Sequence, residues 1–362
     1  MARVVLSSWL ALVLIAIWAL PAWAGDPIET GLDYLAAQQQ ADGGFTNGFS
    51  EGSDLGTTCD AVLAIAAGGQ DASAWVSDDG NSPLDYLHAQ VTAGAVETLG
   101  LKAKVVLALL ATGQDPASFA GSDLIAELAA AYDGATGSYG GNVFEQALAM
   151  LALSNAGEPV PSEAAGYLLD EQRDDGAWAL FGGTDDVGDT NTTALAVQAL
   201  WATGRCDDLG DALAYLHAVQ NDDGGFPYQN PSDYGTDTDA NSTALVLQAL
   251  LAAGESLDDW APGGDGPLDA LTALYDPDSG GFLWQAAVPG PNVLATAQAI
   301  PALAGYTFVD LPRVEAATLP EPVTPASGAA LPASGAVSLL PLGVAGLGIA
   351  ALGLGFALRR RK

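Results

Sequence analysis

Two short segments carry the residue types that do chemistry. Asp189-Thr190-Asn191-Thr192-Thr193-Ala194 and Asp239-Ala240-Asn241-Ser242-Thr243-Ala244 set a carboxylate, an amide and hydroxyls in one order, each ahead of an apolar run. Thr57-Thr58 stands at the matching place nearer the N-terminus. Such side chains accept hydrogen bonds from the unpaired amides of a first helical turn, so helix capping accounts for them. The same groups can hold a ligand where several helix ends share one mouth. On that reading the binding residues are Asp189, Asn191, Thr192, Asp239, Asn241, Ser242, Thr57 and Thr58. Acid catalysis needs a carboxylic acid pre-organised at a cavity wall. The acids available beside these segments are Asp185, Asp189, Asp237 and Asp239.

Metal chemistry is poorly supplied. His88 and His217 occupy matching places in Tyr86-Leu87-His88-Ala89 and Tyr215-Leu216-His217-Ala218. A position that recurs in this way reads as packing, and a three-ligand zinc site is not expected. The segments Gly182 to Asp189 and Asn230 to Asp239 are rich in the oxygen groups that calcium prefers. Neither has EF-hand spacing, and a solvated acidic loop accounts for both. Calcium there is the one cofactor left open; no other is expected. The two cysteines, Cys59 and Cys206, are expected to stay unpaired, since they fall in opposite units and at opposite helix ends.

Positioning these groups falls to a repeat. Apolar helices end at Gly69, Gly113, Gly157, Gly204, Gly254 and Gly305, at steps of 44, 44, 47, 50 and 51 residues. Glycine is the usual stop because it accepts the left-handed conformation. Each repeat opens with an amphipathic helix, as in Leu32 to Gln38 and Leu213 to Gln220, and closes with one apolar on nearly every side. A half-buried helix followed by a fully buried one, six times over, predicts an all-α fold of two concentric rings. Between the two helices stand Asp42-Gly43-Gly44-Phe45, Asp175-Gly176-Ala177-Trp178, Asp223-Gly224-Gly225-Phe226 and Asp278-Ser279-Gly280-Gly281-Phe282. The aromatic is expected to plug the gap between units. A third copy, Asp133 to Tyr139, is looser, and the second, around Gln90 to Gly100, has lost the motif.

Gln38-Gln39-Gln40-Ala41-Asp42-Gly43-Gly44-Phe45 and Gln220-Asn221-Asp222-Asp223-Gly224-Gly225-Phe226 resemble the Gln-x-x-Asp-Gly-(Gly/Ser)-(Phe/Trp) repeat of prenyltransferase β-subunits and squalene cyclases. The resemblance covers about residues 26 to 310 and implies the α6/α6 toroid. It also implies where an enzyme of the family would keep its acid. Class II cyclases carry Asp-x-Asp-Asp-Thr-Ala at the start of an inner helix, with the central Asp as proton donor. Here Asn191 and Asn241 stand at that place, and Thr192 and Ser242 replace its partner. An amide cannot protonate an alkene, so class II cyclisation is read as lost. The protein prenyltransferases of the family use Asp, Cys and His on zinc, and no such set stands out. Cobalamin carriers use a related ring, so the fold leaves function open.

The ends lie outside the rings. Residues 1–24 read as a secretory signal peptide closing on Ala22-Trp23-Ala24. Residues 25–312 form the toroid, and 313–335 a Pro- and Ala-rich stalk. Leu331-Pro332-Ala333-Ser334-Gly335 resembles a Leu-Pro-x-Thr-Gly sorting signal with Ser334 in place of Thr. Residues 336–358 are apolar and long enough for a transmembrane helix, and 359–362 are basic, which keeps that end cytoplasmic. The expectation is an exported protein at the cell surface, tethered to membrane or wall. Its ring holds 42 acidic and four basic residues. That charge excludes nucleic acid and anionic headgroups as partners. Three functions remain: a non-catalytic ring binding a small, largely apolar ligand or a surface partner, a divergent isoprenoid enzyme, and a purely structural or adhesive module.

Overall fold

The computed structural model describes residues 25–48, 51–183, 186–233 and 235–314. Among them are twelve α-helices joined by turns and isolated β-bridges, without an extended strand. They alternate between two roles. In chain order the helices are α1 (Pro27–Gln38), α2 (Leu55–Ala67), α3 (Pro83–Thr92), α4 (Leu99–Ala111), α5 (Leu124–Ala130) and α6 (Val143–Asn155). Then come α7 (Ser162–Asp170), α8 (Thr190–Ala202), α9 (Gly210–Val219), α10 (Ala240–Ala253), α11 (Pro267–Ala273) and α12 (Val293–Leu303). Each even-numbered helix packs on the even ones before and after it, and α12 packs back on α2. The six thus close an inner ring. The odd-numbered helices lie outside, and α1 rests chiefly on α12, so the outer layer closes too. This is an α6/α6 toroid.

The sequence explains how each inner helix begins and ends. Asp54, Thr98, Asn142, Asp189, Asp239 and Asn292 cap them, each side chain accepting from the amide three residues on. Every stop glycine has positive φ, from 70° at Gly69 to 79° at Gly305. Alanine recurs along the buried faces (Ala61, Ala64, Ala103, Ala108, Ala149, Ala152), which lets neighbouring helices approach closely.

Each part of the turn motif has a mechanical role. The glutamine turns back on its own turn: Gln39, Gln172 and Gln220 donate through Nε2 to the carbonyls of Gly43, Gly176 and Gly224. The aspartate accepts from the amide two residues on, as Asp223 does from Gly225 at 3.0 Å. Gly176 has φ of 87°, and a Cβ there would sit 2.1 Å from the Asp211 carbonyl oxygen of the next unit. Only glycine fits that approach. The aromatics Phe45, Trp178, Phe226 and Phe282 are fully buried between units. Their amides donate to Thr58, Thr193, Thr243 and Thr296 hydroxyls at 2.9 to 3.0 Å. In the looser third copy the Tyr139 amide finds Gln146 Oε1 at 2.8 Å instead.

After α12 the chain returns across the mouth at the C-terminal ends of α4, α6 and α8. Asn155 Nδ2 donates to the Phe308 carbonyl at 2.7 Å, the Phe308 amide to Gln198 Oε1 at 2.8 Å, and the Val314 amide to the Ala111 carbonyl at 2.9 Å. Phe308 and Leu311 are buried in that mouth. Contacts therefore run two residues past the boundary expected at 312, because the backbone of Val314 pairs with the free end of α4.

Cys59 is buried in α2, Cys206 is exposed after α8, and neither forms a disulfide. His88 meets Phe119 edge-on at 5.6 Å, and His217 stacks on Trp260 at 3.7 Å, so both pack on the outer ring. The segments expected to be a signal peptide, most of the stalk, the sorting-like sequence, a transmembrane helix and a basic tail lie outside the described residues. Among those residues no helix is long and apolar enough to cross a membrane.

The Thr193 bond is a stability test. Thr193→Val keeps the shape but strands the buried Trp178 amide, which costs about 1–3 kcal/mol. A lowered denaturation midpoint in urea with an unchanged slope is expected. An unaltered midpoint contradicts the role given to this threonine.

Candidate functional site

Each inner helix turns two positions toward the ring axis: the second and the sixth residue after its cap. The second are Phe144, Asn191, Asn241 and Leu294, with Gly56 and Gly100 in α2 and α4. The sixth are Asp60, Lys104, Leu148, Leu195, Leu245 and Gln298. All of these except the glycines line one central chamber, which Phe308 of the returning chain closes from below. Its free space is about 60 Å³, room for a few water molecules.

One wall of the chamber is apolar and the other is a chain of hydrogen bonds. Asn241 Nδ2 donates to Gln298 Oε1 at 2.8 Å, and Gln298 Nε2 to Asp60 Oδ2 at 3.2 Å. Lys104 Nζ lies 2.6 Å from the same Oδ2, both side chains being 3% exposed. Burial pushes the Asp60 carboxyl above its ordinary range, against the pull of Lys104. Asp60 and Lys104 were not singled out from sequence. The signal was present: Asp60 is the one charge within α2, and Lys104 is the buried one of two lysines in α4.

Above the chamber opens a vestibule of about 330 Å³. Tyr228, Trp284 and Asp239 line both compartments, so the two meet there. The wall is built by the repeat. Leu180, Tyr228 and Trp284 each stand two residues past a turn aromatic, and their carbonyls accept from Val143, Thr190 and Ala240, the first residues of α6, α8 and α10. Phe181 and Val187 add exposed apolar surface, 62% and 40%. Asp186, Asp189 and Asp237 supply the acidic part. Arg173 Nη1 donates to the carbonyls of Gly183 and Asp186, which ties down this loop.

The residues proposed from sequence fall into three groups. Asn191, Asn241, Ser242 and Asp239 line the chamber, and Asp189 and Asp237 the vestibule. Thr57, Thr58 and Thr192 line neither. Their hydroxyls are spent inside the caps: Thr57 donates to Asp54, Thr192 to Asp189 Oδ2 at 2.8 Å, and Thr58 to the Asp54 carbonyl. Ser242 likewise donates to Asp239 at 3.0 Å. Asp185 lies outside the described residues. Among the described residues no three acids, histidines or cysteines group as a metal would need.

Asp189 and Asp239 are 1% and 2% exposed. Burial raises their pKa to about 7 and about 6, while amides and hydroxyls donated by Thr192 and Ser242 oppose the rise. The Tyr228 phenol is pushed upward by burial and by these neighbouring carboxylates.

Residues 123–265 match the family profile of the squalene-hopene cyclase C-terminal domain. Among solved structures, a variant of type II terpene cyclase MstE from Scytonema, bound to geranylgeranyl dihydroxybenzoate, is 14% identical. It has a TM-score of 0.55 and covers 78% of this chain and 97% of its own. An unsaturated glucuronyl hydrolase from Bacillus sp. GL1 is 16% identical, with TM-score 0.53 over 76% and 95%. Haptocorrin in complex with Cbi is 15% identical, with TM-score 0.50 over 81% and 69%. At these identities what is shared is the fold. No curated protein sequence matches. Over residues 123–265 the chain is thus similar to the squalene-hopene cyclase C-terminal domain, and as a whole it shares the α/α-toroid fold with these structures.

The raised carboxyls fix a pH dependence. A native pKa above the unfolded one means the folded state holds its proton longer, so stability falls as pH rises from about 4 to about 7. Asn keeps a capping oxygen without the charge. Denaturant unfolding at constant ionic strength should therefore show a shallower fall across this window in Asp189→Asn/Asp239→Asn. An identical slope in both proteins contradicts the assignment.

Proposed function

We propose that the ring binds a small, largely apolar ligand through its open mouth and does not cyclise it. One observation carries the reading: the axis-facing place where a class II cyclase of the superfamily holds its proton donor is an amide in both copies, Asn191 and Asn241. An amide offers hydrogen bonds but no acidic proton. The surroundings suit binding. Leu180, Phe181, Val187, Tyr228 and Trp284 give the mouth an apolar side, and Asp186, Asp189, Asp237 and Asp239 an acidic one, so a concave site offers both apolar contact and hydrogen-bond acceptors. A purely structural or adhesive module has no use for a vestibule of about 330 Å³ that continues into the chamber past Tyr228 and Trp284. The tethered, exported location expected from the two ends of the sequence puts this mouth outside the cell.

A second reading is a divergent enzyme acting on an isoprenoid. It is favoured by Asp189, whose carboxyl is held near pH 7 beside the vestibule. Against it, both Asp189 oxygens already accept hydrogen bonds from Thr192, which holds the side chain in the cap.

Native mass spectrometry of the full chain, after exposure to a lipid and cofactor extract, separates the readings. A bound species recovered at its original mass supports the carrier or receptor. A species released with altered mass, and lost in Asp189→Asn or Asp239→Asn, makes the protein an enzyme.

A further inference from the structure

Two ions stand at the base of the chamber, and the contact they make between α2 and α4 leaves part of their hydrogen-bonding capacity unused. Taking a lysine and an aspartate out of water returns less than a well-packed apolar pair of the same volume unless every remaining donor and acceptor is satisfied. Here they are not. The Lys104 ammonium has three N–H donors. One goes to Asp60 Oδ2 at 2.6 Å and one to the Gly56 carbonyl at 3.3 Å. Asp60 Oδ2 accepts from Lys104 and Gln298. Asp60 Oδ1 accepts from no described residue, and both side chains line the chamber. The pair is therefore left with one Lys104 hydrogen and one Asp60 oxygen that no described side chain answers, and the chamber is the space that both side chains line.

We propose that this pair is a hydroxyl-recognition site, and that the ligand is an apolar alcohol that enters head first. The inference rests on the ligand-binding reading above and names the head group. A hydroxyl donates one hydrogen and accepts another, so it answers both free positions at once. A carbonyl, ester or ether only accepts, and leaves the buried Oδ1 unpaired. A carboxylate or diphosphate brings negative charge against Asp60 and Asp239 in a ring of 42 acids and four bases. Size argues the same way. About 60 Å³ admits a head group and no more, while the apolar body lies in the 330 Å³ vestibule beside Trp284.

The test is a matched series: 1-dodecanol, dodecyl methyl ether, dodecane and dodecanoate, titrated into the full chain and read by tryptophan fluorescence. The alcohol should bind tighter than the ether and the alkane by on the order of tenfold to a hundredfold, as hydrogen bonds to charged groups provide. Dodecanoate should be weaker than the alcohol. In an Asp60→Leu/Lys104→Met double variant the alcohol should bind no more tightly than dodecane. If all four bind wild type alike, waters answer the ion pair and the hydroxyl inference falls, while the ligand-binding reading stands. If none binds, the ligand-binding reading falls with it. Should the double variant fail to fold, the wild-type series decides alone.

Discussion

One hydrogen bond sets the register of five of the six repeats: the amide of a buried turn aromatic donating to the side chain four residues past a helix cap. It joins Phe45 to Thr58, Tyr139 to Gln146, Trp178 to Thr193, Phe226 to Thr243 and Phe282 to Thr296. Because the turn lies on the outer side of the ring, that fourth residue must face outward. Successive residues on an α-helix advance by about 100°. The second and sixth residues after the cap then lie on the opposite face, toward the axis. A buried amide that must be paired thus decides which side chains form the chamber. Ligand chemistry can change at two positions per helix without disturbing the contact that builds the ring.

The second unit breaks the rule and shows what replaces it. It has no turn aromatic, and α4 is capped by Thr98 without that bond. Instead the Gly100 amide donates to Glu145 Oε1 of the next helix at 3.2 Å, and Lys104 reaches Asp60 and the Gly56 carbonyl of the previous one. The ion pair thereby helps fix the rotation of α4. That role uses one oxygen of Asp60 and two hydrogens of Lys104. The remaining oxygen and hydrogen are surplus to it, so a part in register does not account for their turning to the chamber.

Much of this was legible in the sequence because it is local. The caps at Asp189 and Asp239, the stop glycines and the turn aromatics are all read within one repeat, and the structure puts them where their spacing requires. Asn191 and Asn241 could be assigned to an inner mouth for the same reason. What escaped depends on ring closure. Asp60 and Lys104 lie 44 residues apart, and only the contact between α2 and α4 brings them together. Gln298 joins them from 238 residues away, across the seam where α12 meets α2. Tyr228 and Trp284 become mouth residues because the helix starts of neighbouring units bond to their carbonyls. The return of residues 306 to 314 has no periodicity to announce it, since it is a turn closed on Thr307 whose remaining groups pair with the ends of distant helices.

That return also gives the ring a direction. The segment covers the mouth at the C-terminal helix ends, with Phe308 as the chamber floor, and among the described residues the chamber continues into the vestibule at the N-terminal ends of α8 and α10. The chain leaves the ring at Val314 on the closed side. On the proposed reading, an apolar molecule approaching from solvent meets Phe181, Val187 and Trp284 before it meets the ion pair. The desolvation of its body comes first and the pairing of its head last. In that order the apolar mouth supplies most of the attraction, and the chamber supplies the discrimination.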